Sequence, residues 1–176
     1  MVQREKFVPA NFFSYFTIQS NILAVIILAI SAFAAWRGLH SKTISMLRGA
    51  NTLNMVVVGV VFSLLLSGLD GDLTAVPWDN TVLHYIIPVV VALDWLFISS
   101  KTKITFKQGI VWAIFPMLYV LYSLVRGHLV NWYPYPFLNA AEQGYLRVLI
   151  VCTAITLGAF VLIYAIAKTS GRVQKR

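Results

Sequence analysis

The sequence predicts an all-α protein: a polytopic transmembrane bundle of five helical spans, N-terminus outside and C-terminus cytoplasmic. Three observations lead there. Of the 176 residues, 59% are hydrophobic and 11% charged, against about 45–50% and about 25% in a soluble domain. Five apolar segments are each long enough to cross a hydrocarbon core about 30 Å thick at about 1.5 Å per residue. The basic residues collect on alternate connections, which marks orientation in a membrane protein. A soluble fold would expose much of this apolar surface and associate through it. A soluble enzyme and a disordered tail are therefore both excluded.

The expected spans are residues 11–36, 45–69, 81–99, 108–125 and 146–167, within one integral membrane domain covering 1–176. In the first, Ile22 to Ile30 followed by Ala32-Phe33-Ala34 has the form of a signal-peptide core and cleavage site. Phe12, Phe13, Tyr15 and Phe16 precede it, which makes a poor n-region, so the segment reads as a span. The second opens with Arg48, Asn51 and Asn54, and the third holds His84, Pro88 and Asp94. The fifth contains Cys152, the single cysteine, so neither an intrachain disulfide nor a CxxC pair can form. Phe12, Phe13, Trp36, Trp78, Trp95, Trp112, Trp132 and Tyr133 stand near span ends. Aromatic rings there are expected at the headgroup level.

Arg37, Lys42, Arg48, Lys101, Lys103, Lys107, Lys168, Arg172, Lys175 and Arg176 fall on one side of this arrangement. Only Arg4, Lys6, Arg126 and Arg147 fall on the other, together with Glu5, Asp70, Asp72, Asp79 and Glu142. The net charge of +8 is thus an orientation signal. By the positive-inside rule the richly basic side is cytoplasmic, which makes this a multi-pass cell-membrane protein.

Polar groups inside spans are costly and usually face the bundle interior, so they are candidates for function. In the first span Ser14, Thr17, Ser20 and Asn21 share about 120° of helical arc. Interhelical hydrogen bonding explains such a stripe without chemistry. Thr17 lies about 9 Å below the expected start of its span, and His84 about 4.5 Å below its own, on the same outer side. A hydroxyl and an imidazole at similar depth have the composition of a nucleophile and its base. Asp94 is the one acid inside a span, about 15 Å along the helix from His84. It is too far to orient that ring, and a structural contact with Arg48 or Asn51 is expected instead.

Between the last two spans runs Asn131-Trp132-Tyr133-Pro134-Tyr135-Pro136-Phe137-Leu138. Prolines alternating with aromatics predict a stiff, extended interfacial segment, or a wall over a cavity that receives an acyl chain. Arg126, His128 and Arg147 share that side and suit a carboxylate or phosphate headgroup, or ordinary interface positions. No metal motif fixes the spacing of His84, His128, Asp72 and Asp79, and bis-histidine haem lacks a facing in-span pair. No cofactor, metal or nucleic acid is expected.

Three blocks carry a resemblance: Phe13-Ser14-Tyr15-Phe16-Thr17-Ile18-Gln19-Ser20-Asn21, His84-Tyr85-Ile86-Ile87-Pro88 and Tyr135-Pro136-Phe137-Leu138. Together they resemble the androgen-induced-protein family of multispan membrane proteins, most closely its bacterial branch. Family members with an assigned function are threonine hydrolases that cleave fatty acid esters of hydroxy fatty acids. The resemblance implies Thr17 as nucleophile, His84 as base, and membrane lipid, with a fatty acid ester among it, as partner and substrate. Asn21, Asn80, Asn131, Tyr135 and Arg147 are the candidates for oxyanion or substrate binding. Members usually carry six spans with a helix ahead of the threonine-bearing one, where this sequence has residues 1–10. Removing one leading helix exchanges an inside N-terminus for an outside one. The alternative is a non-enzymatic bundle that binds lipid or a partner protein.

Overall fold

The computed structural model describes residues 8–68, 77–98 and 102–172. Arg4, Glu5, Lys6, Asp70, Asp72, Lys101, Lys175 and Arg176 lie outside the described residues, as do the expected span ends at 69 and 99. Among those described there are five long helices and no strand. They are α1 (Phe16–Trp36), α2 (Lys42–Leu66), α3 (Trp78–Phe97), α4 (Phe106–Val130) and α5 (Tyr145–Thr169). Each is long and apolar enough to cross a membrane, and 20 to 25 residues give roughly 30–38 Å of helix. This is a multi-pass architecture.

The helix ends follow local chemistry and move several expected boundaries. α1 starts at Phe16 rather than Asn11, because Pro9–Phe12 forms a separate turn with proline at its first position. Tyr15 is then extended, at φ −75° and ψ 130°, and breaks the path. Ser14 therefore leaves the expected α1 stripe. It is buried in the break, where its hydroxyl donates to Ala10 O at 2.6 Å and meets the Tyr122 hydroxyl at 2.8 Å. α1 ends at Trp36 because Gly38, at φ +67°, lets its own N–H reach Ala35 O and Leu39 N–H reach Ala34 O. That is a Schellman closure, and glycine is the residue that adopts it without strain.

α2 begins at Lys42 because the Ser41 side chain caps Thr43 N–H at 3.1 Å. α4 begins at Phe106 behind a capping box between Thr105 and Gln108. It continues five residues past the expected end at 125, through Arg126 and His128, and stops at Asn131 in the left-handed region at φ 51°.

α2 is the central helix and the most buried of the five. It packs on α1, α3 and α5, and on the Phe106–Gly109 and Ile110–Ala113 turns that begin α4. Two glycines make this possible. A Cβ on Gly49 would overlap the Trp112 indole, and one on Gly59 would lie 3.2 Å from Pro88 and 3.3 Å from His84 O. Trp95 and Trp112, expected at the headgroup level, are instead buried in the core, edge to face at 6.4 Å. The Trp95 indole N–H donates to Thr169 Oγ1 at 2.9 Å. Trp36 and Trp78 are exposed.

Asp94 pairs with Arg48 at 2.7 Å. The same guanidinium donates to Asp94 O and Ile98 O, closing the end of α3. Asn51, the other expected partner, does not take part: Arg48 fills the place, and Asn51 Oδ1 is buried without a hydrogen bond. Outward residues such as Val25, Leu64, Leu157 and Val161 are exposed, as lipid-facing positions require.

Candidate active site

Thr17 and His84 meet. Thr17 Oγ1 lies 3.2 Å from His84 Nε2, and both residues are buried. Their depths differ from the sequence count. Thr17 is in the first turn of α1, whereas His84 is six residues into α3. They meet because α1 starts deeper in the bundle than α3, by about 7.5 Å at 1.5 Å per residue. The segment 8–15 occupies the difference and is tied to α4. Arg126 donates to Asn11 Oδ1 at 2.7 Å, and Tyr119 donates to Ser14 O at 2.9 Å.

The imidazole is held on three sides. Its Nδ1 is 3.1 Å from Asn80 O, and a carbonyl only accepts, so Nδ1 carries the proton. In the neutral ring Nε2 is then the free acceptor that faces the threonine hydroxyl. The ring stacks on Phe62, centroids 3.9 Å apart and planes within 17°. Phe62 opens a π-helical turn, Phe62–Leu66, and His84 sits in another, Val82–Ile86. Single π turns inside α-helices mark functional sites more often than chance. Here the cause in α3 is Pro88, which has no N–H to offer His84 O four residues earlier. Gly59 lets α2 close on that freed carbonyl.

Tyr135 supplies the fourth wall. Its hydroxyl lies 3.4 Å from Thr17 Oγ1 and accepts the Thr17 N–H at 3.3 Å. The loop that carries it is therefore not an extended interfacial strip. Pro136–Leu138 forms a 3-10 turn, Tyr135 and Leu138 are buried, and Tyr133 occupies the space beside Gly127. Tyr135 stacks on Phe137 at 5.2 Å and meets Tyr15 edge to face. Burial pushes the Tyr135 hydroxyl above its ordinary range, against the pull of its hydrogen bonds with Thr17, so it stays a phenol.

The remaining expected residues separate. Asn21 stands beside the pair, but its amide donates to Thr17 O at 2.8 Å and Leu83 O at 3.5 Å. It holds α1 to α3 and is not turned toward the threonine hydroxyl. Asn80 acts through its backbone carbonyl, and its buried side-chain oxygen has no partner. Asn131 is the exposed left-handed cap of α4, a conformation asparagine tolerates. Arg147 is exposed on α5, where its neighbour Val148 is the buried one. Neither lines a cavity at the pair. Sequence reasoning missed Phe62 and the Asn80 carbonyl, and Pro88 was the available signal for the distorted turn.

Two cavities adjoin Thr17. One of about 350 Å³ is bounded by α2, α4, α5 and the Tyr135 loop, and its walls are almost wholly apolar. Ligand sites start at roughly that volume. The other, about 60 Å³, is lined by Phe12, Tyr15, Ile18, Leu83 and His84. Thr17 and Tyr135 border both. No three His, Cys, Asp or Glu side chains come together among the described residues. Compared with protein-family models, curated proteins and solved structures, the chain has no match.

Proposed function

We propose that the protein is a lipid ester hydrolase in which Thr17 is the nucleophile and His84 the general base. The reading places the pair in the outer half of a bacterial cell membrane. One observation carries it: Thr17 Oγ1 lies 3.2 Å from a ring nitrogen left free by the Asn80 hydrogen bond on the other. A hydroxyl attacks poorly until a neighbour takes its proton, and an oriented neutral imidazole is the usual neighbour. The resemblance to the androgen-induced-protein family points the same way.

In the reaction Thr17 Oγ1 adds to the ester carbonyl while its proton passes to His84 Nε2. The tetrahedral adduct collapses, the carbon–oxygen bond to the alcohol breaks, and His84 returns the proton to the leaving alkoxide. Water then gives its proton to His84 and attacks the acyl-threonine. The acid is released and the Thr17 hydroxyl re-forms. Negative charge on the adduct oxygen needs donors: the Tyr135 O–H lies 3.4 Å from Thr17 Oγ1, and the Thr17 N–H, which donates to the Tyr135 oxygen before substrate arrives, would be the second. A nucleophile's own backbone N–H serves this way in serine proteases.

Hydrolysis of a long-chain p-nitrophenyl ester by protein in nanodiscs tests the reading. Wild type should turn over, and Thr17→Ala and His84→Ala should not. Equal turnover by all three overturns it. The non-enzymatic reading is favoured by the bond of Asn21 to Leu83 O, which joins α1 to α3, and that of Ser14 to Tyr122, which joins the segment 8–15 to α4, and it predicts no turnover by wild type. The orientation rests on the one-sided charge. In a Cys152→Ser background, cysteines at positions 72 and 107 should label from opposite faces, position 72 from outside.

A further inference from the structure

The larger cavity has one polar corner and one open side. Thr156, one of its few polar residues, gives its hydroxyl to Cys152 O at 2.8 Å. That leaves a methyl group for the wall. Val57, Val58 and Val61 of α2 and Pro116 and Val120 of α4 face it. Of the other hydroxyls on its lining, those of Thr17 and Tyr135 stand together, 3.4 Å apart, and that of Tyr119 is given to Ser14 O. Phe137 and Leu138 close the end of the chamber next to the loop, and Leu138 is fully buried. The side is different. Met117 on α4 and Leu149 and Leu157 on α5 line the cavity, yet they are 56%, 63% and 62% exposed. Side chains that both line a chamber and face the surroundings mark its mouth, and in a spanning bundle those surroundings are lipid.

We infer that this chamber takes a single straight alkyl chain, which enters sideways from the bilayer between α4 and α5. Its polar head stops at Thr17 and Tyr135. An apolar chamber of about 350 Å³ with polar groups at one end orients an amphiphile by its head and excludes charge from its depth. The companion pocket of about 60 Å³, walled by Phe12 and Tyr15, has no room for a second chain. Assigning the alkyl chain to the acyl side of an ester rests on the proposed role of Thr17, whereas the chamber and its mouth do not. Thr153, exposed at the mouth on α5, is then a gate position for chain entry.

The test is photocrosslinking in phosphatidylcholine nanodiscs with a palmitic acid analogue that carries a diazirine at mid-chain. Adducts are mapped by mass spectrometry. Val58 and Cys152, inside the chamber, should be labelled above the outward-facing Leu64 and Val161, and excess unmodified palmitic acid should suppress the interior adducts at least tenfold. Thr153→Trp, a change at an exposed position, should remove the interior adducts and leave the outward ones. Labelling confined to outward residues, or interior labelling untouched by Thr153→Trp, overturns the inference. Interior labelling in a protein without esterase activity would overturn the hydrolase reading and leave the chamber standing. Esterase activity without interior labelling would do the reverse.

Discussion

At the Arg48 end of the bundle, polar side chains close helix ends. Arg48 holds the Asp94 carboxylate and the carbonyls of Asp94 and Ile98. Lys103 Nζ reaches the carbonyls of Ala167, Lys168 and Ser170 at 3.3 to 3.4 Å, and Ser170 Oγ joins Ile104 to the end of α5. At the Thr17 end the same kinds of group stand beside space. His84 offers its hydroxyl neighbour a free nitrogen, Asn21 Oδ1 and Asn80 Oδ1 are buried without partners, and two cavities adjoin. The helices differ in step: the π turns of α2 and α3 both fall at this end. Unpartnered polar atoms occur at both ends, Arg48 Nε and Asn51 Oδ1 among them; what sets the Thr17 end apart is that its hydroxyl and imidazole border a cavity.

The comparison breaks if the two ends respond alike to substitution. The largest expected effect is on turnover. His84→Ala should lower kcat by roughly 10²–10⁴-fold, and Thr17→Ala by at least as much, with little change in thermal stability. Arg48→Ala should do the opposite. The pair is partly buried, so removing one partner should cost less than the about 3–5 kcal/mol of a fully buried pair, and melting in detergent should drop while the folded fraction keeps its kcat. A loss of kcat in that folded fraction would show that the two ends are coupled.

Tyr135→Phe sharpens the contrast within the site. Losing one oxyanion donor lowers kcat by about 10²–10³-fold, with KM for the ester nearly unchanged. The pH profile of kcat/KM gives the sign. Protonation of His84 Nε2 removes the acceptor, so activity should fall on the acid side. The Tyr135 phenol is raised by burial, so it remains a donor and should add no fall between neutral pH and about 10. The smallest effect is expected for Lys103→Met. It removes the cation from the end of α5 and should cost about 0.3–1 kcal/mol of stability, with unaltered turnover.

Much of the fold was legible because period, length and charge act locally. The five spans, and the Asp94–Arg48 pair as one of two alternatives, follow from apolar runs and from the cost of a buried charge. The start of α1 was not legible. Residues 11–15 are aromatic and polar without a glycine or proline to announce the break, and Ser14 happens to share the helical phase of Thr17. Trp95 and Trp112 were misjudged because position along a span says nothing about which face meets Gly49 and α2. In the site, Thr17 and His84 were visible as polar residues in apolar runs. Phe62 was not, since an aromatic in a membrane span carries no signal until its ring stacks on something. Asn131 and Arg147 had the right chemistry on the right side but the wrong faces of their elements.

The central claim is that Thr17 is an activated nucleophile, and a covalent adduct tests it most directly. The intact protein in nanodiscs is treated with a long-chain alkyl fluorophosphonate and the modified residue is located by tandem mass spectrometry. The account predicts one phosphonylated residue, Thr17, with labelling abolished in Thr17→Ala and strongly slowed in His84→Ala. An adduct on any other residue, or labelling that persists in Thr17→Ala, would contradict it.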